Sequence, residues 1–312
     1  MTPLHGPAFG LLGAALGALL LHLLLPLLQR GLVDQPNARS SHQRPTPRGG
    51  GLAFVLVGSG LAPLAGADWP AWIPLICLPL ALVGLLDDRL DLPAAARYGI
   101  QIVTALALVT ITPLPLAWWL VPLVWFSVTA VINFVNFSDG LDGLVAGCAA
   151  VLLSVAVLAM APAAGNGLLP LIGALLSFLA WNWSPARVFM GDVGSTFLGA
   201  VIAGMVLQQG TPALALGLLL AGFPLLGDPC LCVLRRWHAG QPIFQAHRLH
   251  LYQRLHQAGW RHSRVALLYI GATALLGWAL LVQGLALELA VLLAELAVGL
   301  RLDRHHAVPF SA

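Results

Sequence analysis

Lysine is absent from this 312-residue chain, so all fifteen positive charges are arginines. Charged residues of both signs make up only 9% of it, against about 25% in an ordinary soluble domain. Hydrophobic residues make up 59%. This scarcity of charge excludes a water-soluble globular protein, because one buried core cannot absorb so much apolar sequence and lipid must solvate the rest. Cysteine is scarce too. Cys77, Cys148, Cys230 and Cys232 sit in or beside apolar runs without metal-like spacing. No disulfide framework follows from them, and they read as small packing residues. No basic segment precedes the first apolar run, so Met1 to Leu28 reads as a transmembrane helix and not as a cleaved signal peptide. Nothing in the charge pattern calls for nucleic acid.

What is present is a series of apolar stretches of spanning length. They predict an all-α polytopic membrane protein of about eleven transmembrane helices, at 8–28, 50–67, 70–86, 99–116, 118–136, 143–162, 167–183, 194–208, 211–230, 265–283 and 285–301. Pro70, Pro113, Pro115, Pro162 and the Gly210–Pro212 turn separate several of them. Every arginine follows an odd-numbered helix. The positive-inside rule then makes that side cytoplasmic, with the N-terminus outside and the C-terminus inside. Residues 1–312 form one integral membrane domain, and any chemistry falls on loops 29–50, 86–98, 136–143, 184–194 and 231–264. Pairing into a homodimer is left open.

Nine of the twelve acidic residues lie on the arginine side. Asp87 and Asp88 close the third helix. Asp139 and Asp142 stand three apart in Asn136-Phe-Ser-Asp-Gly-Leu-Asp-Gly143, which would put them on one face of a helical turn. Asp192 lies between glycines just before a helix, where free amides attract phosphate. Carboxylates at a membrane boundary repel one another unless a cation joins them. Oxygen ligands completed by substrate phosphates suit Mg²⁺, with Mn²⁺ as an alternative. In 235–264, six Arg and five His supply counter-charge, and His247, Arg248 and His250 suit a diphosphate or proton transfer. His5, His22, His305 and His306 read as incidental, and Glu288 and Glu295 as facing neighbouring helices.

Taken in order, these motifs resemble the polyprenyl-phosphate N-acetylhexosamine-1-phosphate transferases. The pieces are Val33-Asp-Gln-Pro-Asn-Ala-Arg-Ser-Ser-His42 with Pro47-Arg-Gly-Gly50, Asp87-Asp88, Asn133 through Leu144, Asn182 through Ser195, and His247-Arg-Leu-His250. The resemblance implies transfer of an N-acetylhexosamine 1-phosphate from a UDP-sugar to undecaprenyl phosphate, with release of UMP. The product would start a cell-surface glycan such as O-antigen, at the bacterial inner membrane. It implies that Asp192 binds Mg²⁺ and that Asp87 handles the acceptor phosphate, as base or nucleophile, supported by Asp88. Asn136, Asp139, Asp142, Asn182 and Phe189 would hold the nucleotide, Phe189 by stacking on uracil. His250, with His247 and Arg248, would face the diphosphate, and Arg44 or Arg48 would supply the basic residue near the nucleotide. Tyr252 and Gln253 stand where the antigen-initiating branch has histidines. The triple histidine and lysine-rich first loop of the muramoyl-pentapeptide branch are absent, which argues against a peptide-bearing donor.

Two other readings use the same residues. Asp87-Asp-Arg-Leu-Asp91 spells the DDxxD pattern of a prenyltransferase, but Asp139-Gly-Leu-Asp142 is a poor second copy. A transporter would place its ionisable groups near mid-membrane and show related halves, and neither is seen.

Overall fold

The computed structural model describes residues 5–36, 41–160, 164–242, 245 and 247–310. Residues 37–40 of the first-loop motif, including Arg39, and the end of the predicted sixth helix lie outside the described residues. The described chain folds into fourteen α-helices. They are α1 (His5–Gly31), α2 (Gly51–Ala65), α3 (Trp69–Ile76), α4 (Leu78–Leu90), α5 (Ala94–Thr110), α6 (Val121–Phe137), α7 (Leu144–Leu158), α8 (Leu169–Asn182), α9 (Asp192–Leu207), α10 (Pro212–Ala221), α11 (Phe223–His238), α12 (Leu251–Gln257), α13 (His262–Gln283) and α14 (Leu285–His305). A two-stranded antiparallel ribbon, β1 (Val33–Asp34) with β2 (Thr46–Pro47), closes the α1–α2 loop.

Each of the eleven predicted segments falls on helix, with three differences. The third runs as one span over Trp69–Leu90, interrupted only at Cys77 between α3 and α4, where prolines stand inside α3 and at the start of α4. The ninth is bent by 74° between α10 and α11. The expected loop 231–264 is partly helical: α11 continues to His238, its last turn carrying Arg235, Arg236 and His238 against the negative helix end, and α12 forms within it. Among the described residues four stretches of helix are long and apolar enough to cross a membrane, Gly6–Gly31, Trp69–Leu90 (α3 and α4 as one span), Trp118–Phe137 and His262–Gln283, or five if α10 and α11 count as one span. The outer surface is apolar, with Leu11, Trp118, Phe126 and Leu293 all largely exposed. Such faces suit lipid and not water, and the chain is a multi-pass all-α membrane protein.

The shorter helices pack inside this shell. α9 is buried along almost its whole length and packs against α6 and α4. Phe54 of α2 meets Phe178 of α8 edge-on, with ring centroids 5.2 Å apart. α1 and α8 touch through backbone. A Cβ at Gly13 would lie 2.2 Å from the Pro170 carbonyl oxygen, and one at Gly173 2.0 Å from that of Gly10. Lipid tails are as apolar as any side chain, so close backbone approach of this kind is what holds helices together in a bilayer. Gly173→Val should therefore push α1 off α8 and lower the thermal melting temperature in detergent micelles. Gly271→Val, at a position open on all sides, should leave it within a degree or two of wild type.

Candidate active site

The site is built at one end of the bundle from loops that hold one another by backbone bonds. The Phe189 amide donates to the Pro47 carbonyl (2.8 Å), and the Gly50 and Gly51 amides donate to the carbonyls of Phe189 (2.9 Å) and Met190 (3.0 Å). The α8–α9 loop is thereby stitched to the α1–α2 loop. Gly191, at φ +72°, ends that loop, and a Cβ there would lie 2.4 Å from an Asp88 carboxylate oxygen. Only glycine permits both the dihedral and the approach.

Asp88, buried near the end of α4, receives the Val193 amide at 3.3 Å and the backbone of Asp192. Its carboxylate therefore satisfies free N–H groups at the start of α9, where a negative charge is favoured. Arg48 completes the arrangement, with its Nε 3.8 Å from the Asp88 carboxylate and its guanidinium donating to the Asp88 carbonyl. Asp87 is held by Arg97 at 3.0 Å and by the Leu92 amide at 2.7 Å, and its carboxylate lies beside that of Asp192. Asp142 accepts from the Ala186 amide (3.1 Å) and faces His262 Nδ1 at 3.1 Å. Burial alone would raise its carboxyl, but His262, the Ala186 amide and the Ser184 hydroxyl hold it below the usual range. Asp139 has the opposite surroundings. Burial, then the charges of Asp192, Asp88 and Asp142, push it up to about 8.

Asp88, Asp139, Asp142 and Asp192 line one cavity of about 360 Å³, together with Arg48, Asn182, Phe189 and His247. Asp87 stands behind Asp192. Asn182 is committed to the fold on its carboxamide: its oxygen accepts from the Gly143 amide (3.0 Å) and its nitrogen donates to the Val188 carbonyl (2.9 Å). Asn136, His250, Arg44 and Arg248 do not line the cavity. Of the two candidate arginines in the first loop, Arg48 enters the site and Arg44 is exposed. Asp91 of the DDxxD pattern is exposed and in the left-handed region at the end of α4, away from the cluster. A larger cavity of about 840 Å³ lies at the other end of α2 and α9, lined by Trp69, Trp72, Met160 and Leu214. Asp68 is its only carboxylate, so the acidic chemistry belongs to the smaller one.

His262 lines the cavity and was not singled out by sequence, as nothing in Arg261-His-Ser sets it apart from the other loop histidines. Its Nδ1 meets Asp142, while its Nε2 reaches the Ser41 carbonyl (3.2 Å) and His256 Nε2 (3.3 Å). One ring thus joins the α1–α2 loop, the α6–α7 loop, α12 and α13. His42, also on the lining, meets Phe189 edge-on at 5.0 Å. The two residues at histidine positions have structural work. Tyr252 is buried, stacks on His250 and donates to the Phe137 carbonyl (2.8 Å). Gln253 accepts from the His250 amide at the start of α12. Asp228 fixes that start by accepting from the Leu251 (2.7 Å) and Tyr252 (3.1 Å) amides.

The donor set suits a hard divalent cation. All the cavity carboxylates offer oxygen, the ligand type of Mg²⁺, and Asp139 is pressed by burial and then by other carboxylates. Arg48 and Arg97 already serve Asp88 and Asp87. Of Asp88, Asp139, Asp142 and Asp192, Asp192 and Asp139 then have capacity left for a metal ion, and Asp34 of β1 also lines the cavity.

Two measurements test these assignments. Asp142 and His262 are each about nine-tenths buried. A double-mutant cycle of Asp142→Asn with His262→Ala should give a coupling of roughly 1–3 kcal/mol, typical of a charge-assisted hydrogen bond. Burial, then Arg236, lowers the His250 imidazole from 6.5 to about 4. The unfolded chain therefore binds a proton between those values that the folded chain refuses, and stability falls as pH drops through that window. The melting temperature of His250→Gln should depend less on pH from 6.5 to 4 than that of wild type.

Comparison with known proteins gives the family. The family profile of glycosyl transferase family 4 matches residues 71–210. A probable undecaprenyl-phosphate N-acetylglucosaminyl 1-phosphate transferase of Bacillus subtilis is 30% identical over 80% of this chain and 77% of its own length. A phospho-N-acetylmuramoyl-pentapeptide-transferase of a Synechococcus species is 34% identical over 87% of this chain and 91% of its own. A decaprenyl-phosphate N-acetylglucosaminephosphotransferase of Mycobacterium tuberculosis is 31% identical over 78% and 74%. With identity of this order along most of both chains, the protein belongs to the polyprenyl-phosphate N-acetylhexosamine-1-phosphate transferase family, glycosyl transferase family 4.

Proposed function

We propose that this protein transfers an N-acetylhexosamine 1-phosphate from a UDP-sugar to undecaprenyl phosphate, at the cytoplasmic face of a bacterial inner membrane. The observation that carries the reading is the convergence of Asp88, Asp139, Asp142 and Asp192, from three separate segments, on one cavity with Arg48 and His247. Relatives named for polyprenyl-phosphate sugar-phosphate transfer support the reaction class. The arginine end of the bundle is then cytoplasmic by the positive-inside rule, and the eleven helical segments are the spans. Relatives of both branches match the chain. The choice of an amino sugar without a peptide rests on the missing triple histidine and missing lysines.

The acceptor's phosphate oxygen attacks the β-phosphorus of the donor, the bond from that phosphorus to the bridging oxygen breaks, and UMP leaves with the bridging oxygen. Asp192, with Asp139 beside it, would hold Mg²⁺, which supplies charge neutralisation of the diphosphate. Asp87, held by Arg97, would handle the acceptor phosphate as base or nucleophile. Arg48 and His247 reach the cavity wall, where phosphate oxygens of the donor would lie. Phe189 and His42 offer ring faces and edges for the uracil. Phosphoryl transfer of this kind is mainly positioning plus charge stabilisation, which fits a site whose acidic and basic groups are held by the fold.

Purified protein in micelles, given undecaprenyl phosphate, Mg²⁺ and a panel of UDP-sugars, should release UMP and yield a polyprenyl-diphospho-N-acetylhexosamine by mass spectrometry. UDP-muramoyl-pentapeptide should yield none. Asp192→Asn should lose about a hundredfold or more in rate, the scale of a lost charge-stabilising group. Full activity in that variant would remove Asp192 from the metal role.

A further inference from the structure

We propose that Cys232, His247 and His250 form a second metal site, selective for a divalent ion of the zinc class and separate from the carboxylate cluster. A sulfur and two imidazole nitrogens, one atom from each side chain, lie within 4.8 Å of one another. Cys232 and His250 are 3% and 4% exposed, and the imidazoles of His247 and His250 have centroids 4.8 Å apart. The second observation is an orphan. His250 Nδ1 is buried with no hydrogen-bond partner, and a buried polar atom left unpaired costs about 1–3 kcal/mol. Ligation relieves that cost. His247 Nδ1 accepts from the Leu249 amide at 3.2 Å, which fixes the ring beside His250.

The donor chemistry selects the ion. One thiolate and two imidazoles suit zinc and its congeners and discriminate against Mg²⁺. Asp228, one turn before Cys232 on α11, acts on both Cys232 and His247, and Arg235, Arg236 and Arg254 act on Cys232 as well. Arg236, one turn later, is engaged by the Gln241 side chain and the carbonyls of Pro242 and Gln245. Three protein ligands leave a fourth position open.

The site also has a consequence for the neighbouring cavity. His247 is on the wall of that cavity, and ligation ties it to α11. Occupation therefore withdraws His247 from donor phosphate, and the ion represses transfer. This last step rests on the transfer reading, whereas the metal site does not.

The test uses the full chain in micelles with excess Mg²⁺, titrated with Co²⁺. One equivalent should bind with a thiolate-to-cobalt charge-transfer band, and one equivalent of Zn²⁺ should bleach it. The band should persist in Cys230→Ser and vanish in Cys232→Ser, both melting like wild type. The Zn²⁺ concentration that halves UMP release should rise at least tenfold in Cys232→Ser, whose Mg²⁺-supported rate is unchanged; even an outer-shell change alters metal affinity by about 10–100-fold. No charge-transfer band in wild type, or its survival in Cys232→Ser, overturns the site. A protein that binds cobalt through Cys232 yet releases no UMP sinks the transferase reading and leaves the metal site standing.

Discussion

The Asp88 carboxylate sits where two needs meet. α9 begins inside the protein, and the amides of its first turn have no partner of their own helix. Asp88 accepts from them across a chain separation of 105 residues. It also brings a negative charge to the positive end of α9 and draws in Arg48 from the first loop. Three segments far apart in sequence are fixed by this one group, and Asp192 is placed by it. The glycine at 191 is a consequence, since no side chain fits between that carboxylate and the turn.

Around this point the carboxylates divide by their partners. Asp87, Asp88 and Asp142 are each tied to a cation or a histidine and to a backbone amide. Asp139 and Asp192 are not balanced in this way, and burial, then the neighbouring carboxylates, raise Asp139. A cluster that satisfies three members and leaves two facing a cavity is a place for a divalent ion and an anionic substrate. Residual strain in the arrangement is electrostatic, and ligand charge relieves it.

The basic turn beside the cavity follows a similar plan. Asp228 caps α12 and accepts from the Tyr269 hydroxyl (2.7 Å), Tyr252 locks His250 by stacking, and Arg254 pairs with Asp303 of α14. Histidine at positions 252 and 253 would lose these contacts. Tyr252 and Gln253 therefore carry packing and capping roles while also lining the cavity.

Much of this was legible in the sequence for a simple reason. In lipid the backbone must satisfy itself, so apolar runs become helices whatever they pack against, and the eleven segments appear where the hydrophobic stretches stand. The acidic motifs were legible because carboxylates are costly at a membrane boundary and so mark a site. Local chemistry did not reveal which groups would meet. The break at Cys77, the bend at Gly222 and the short α12 depend on packing between elements. Asn182 is spent on the Gly143 amide and the Val188 carbonyl, a matter of two loops in contact. His262 joins four segments, and Cys232 lies against His247 and His250 from fifteen and eighteen residues away. Sequence determined the helices and the end of the bundle that carries the charge, because both follow from transfer of side chains and backbone between water and lipid. Tertiary structure decided which carboxylates are paired and which are open, because that depends on distances between residues that the chain keeps far apart.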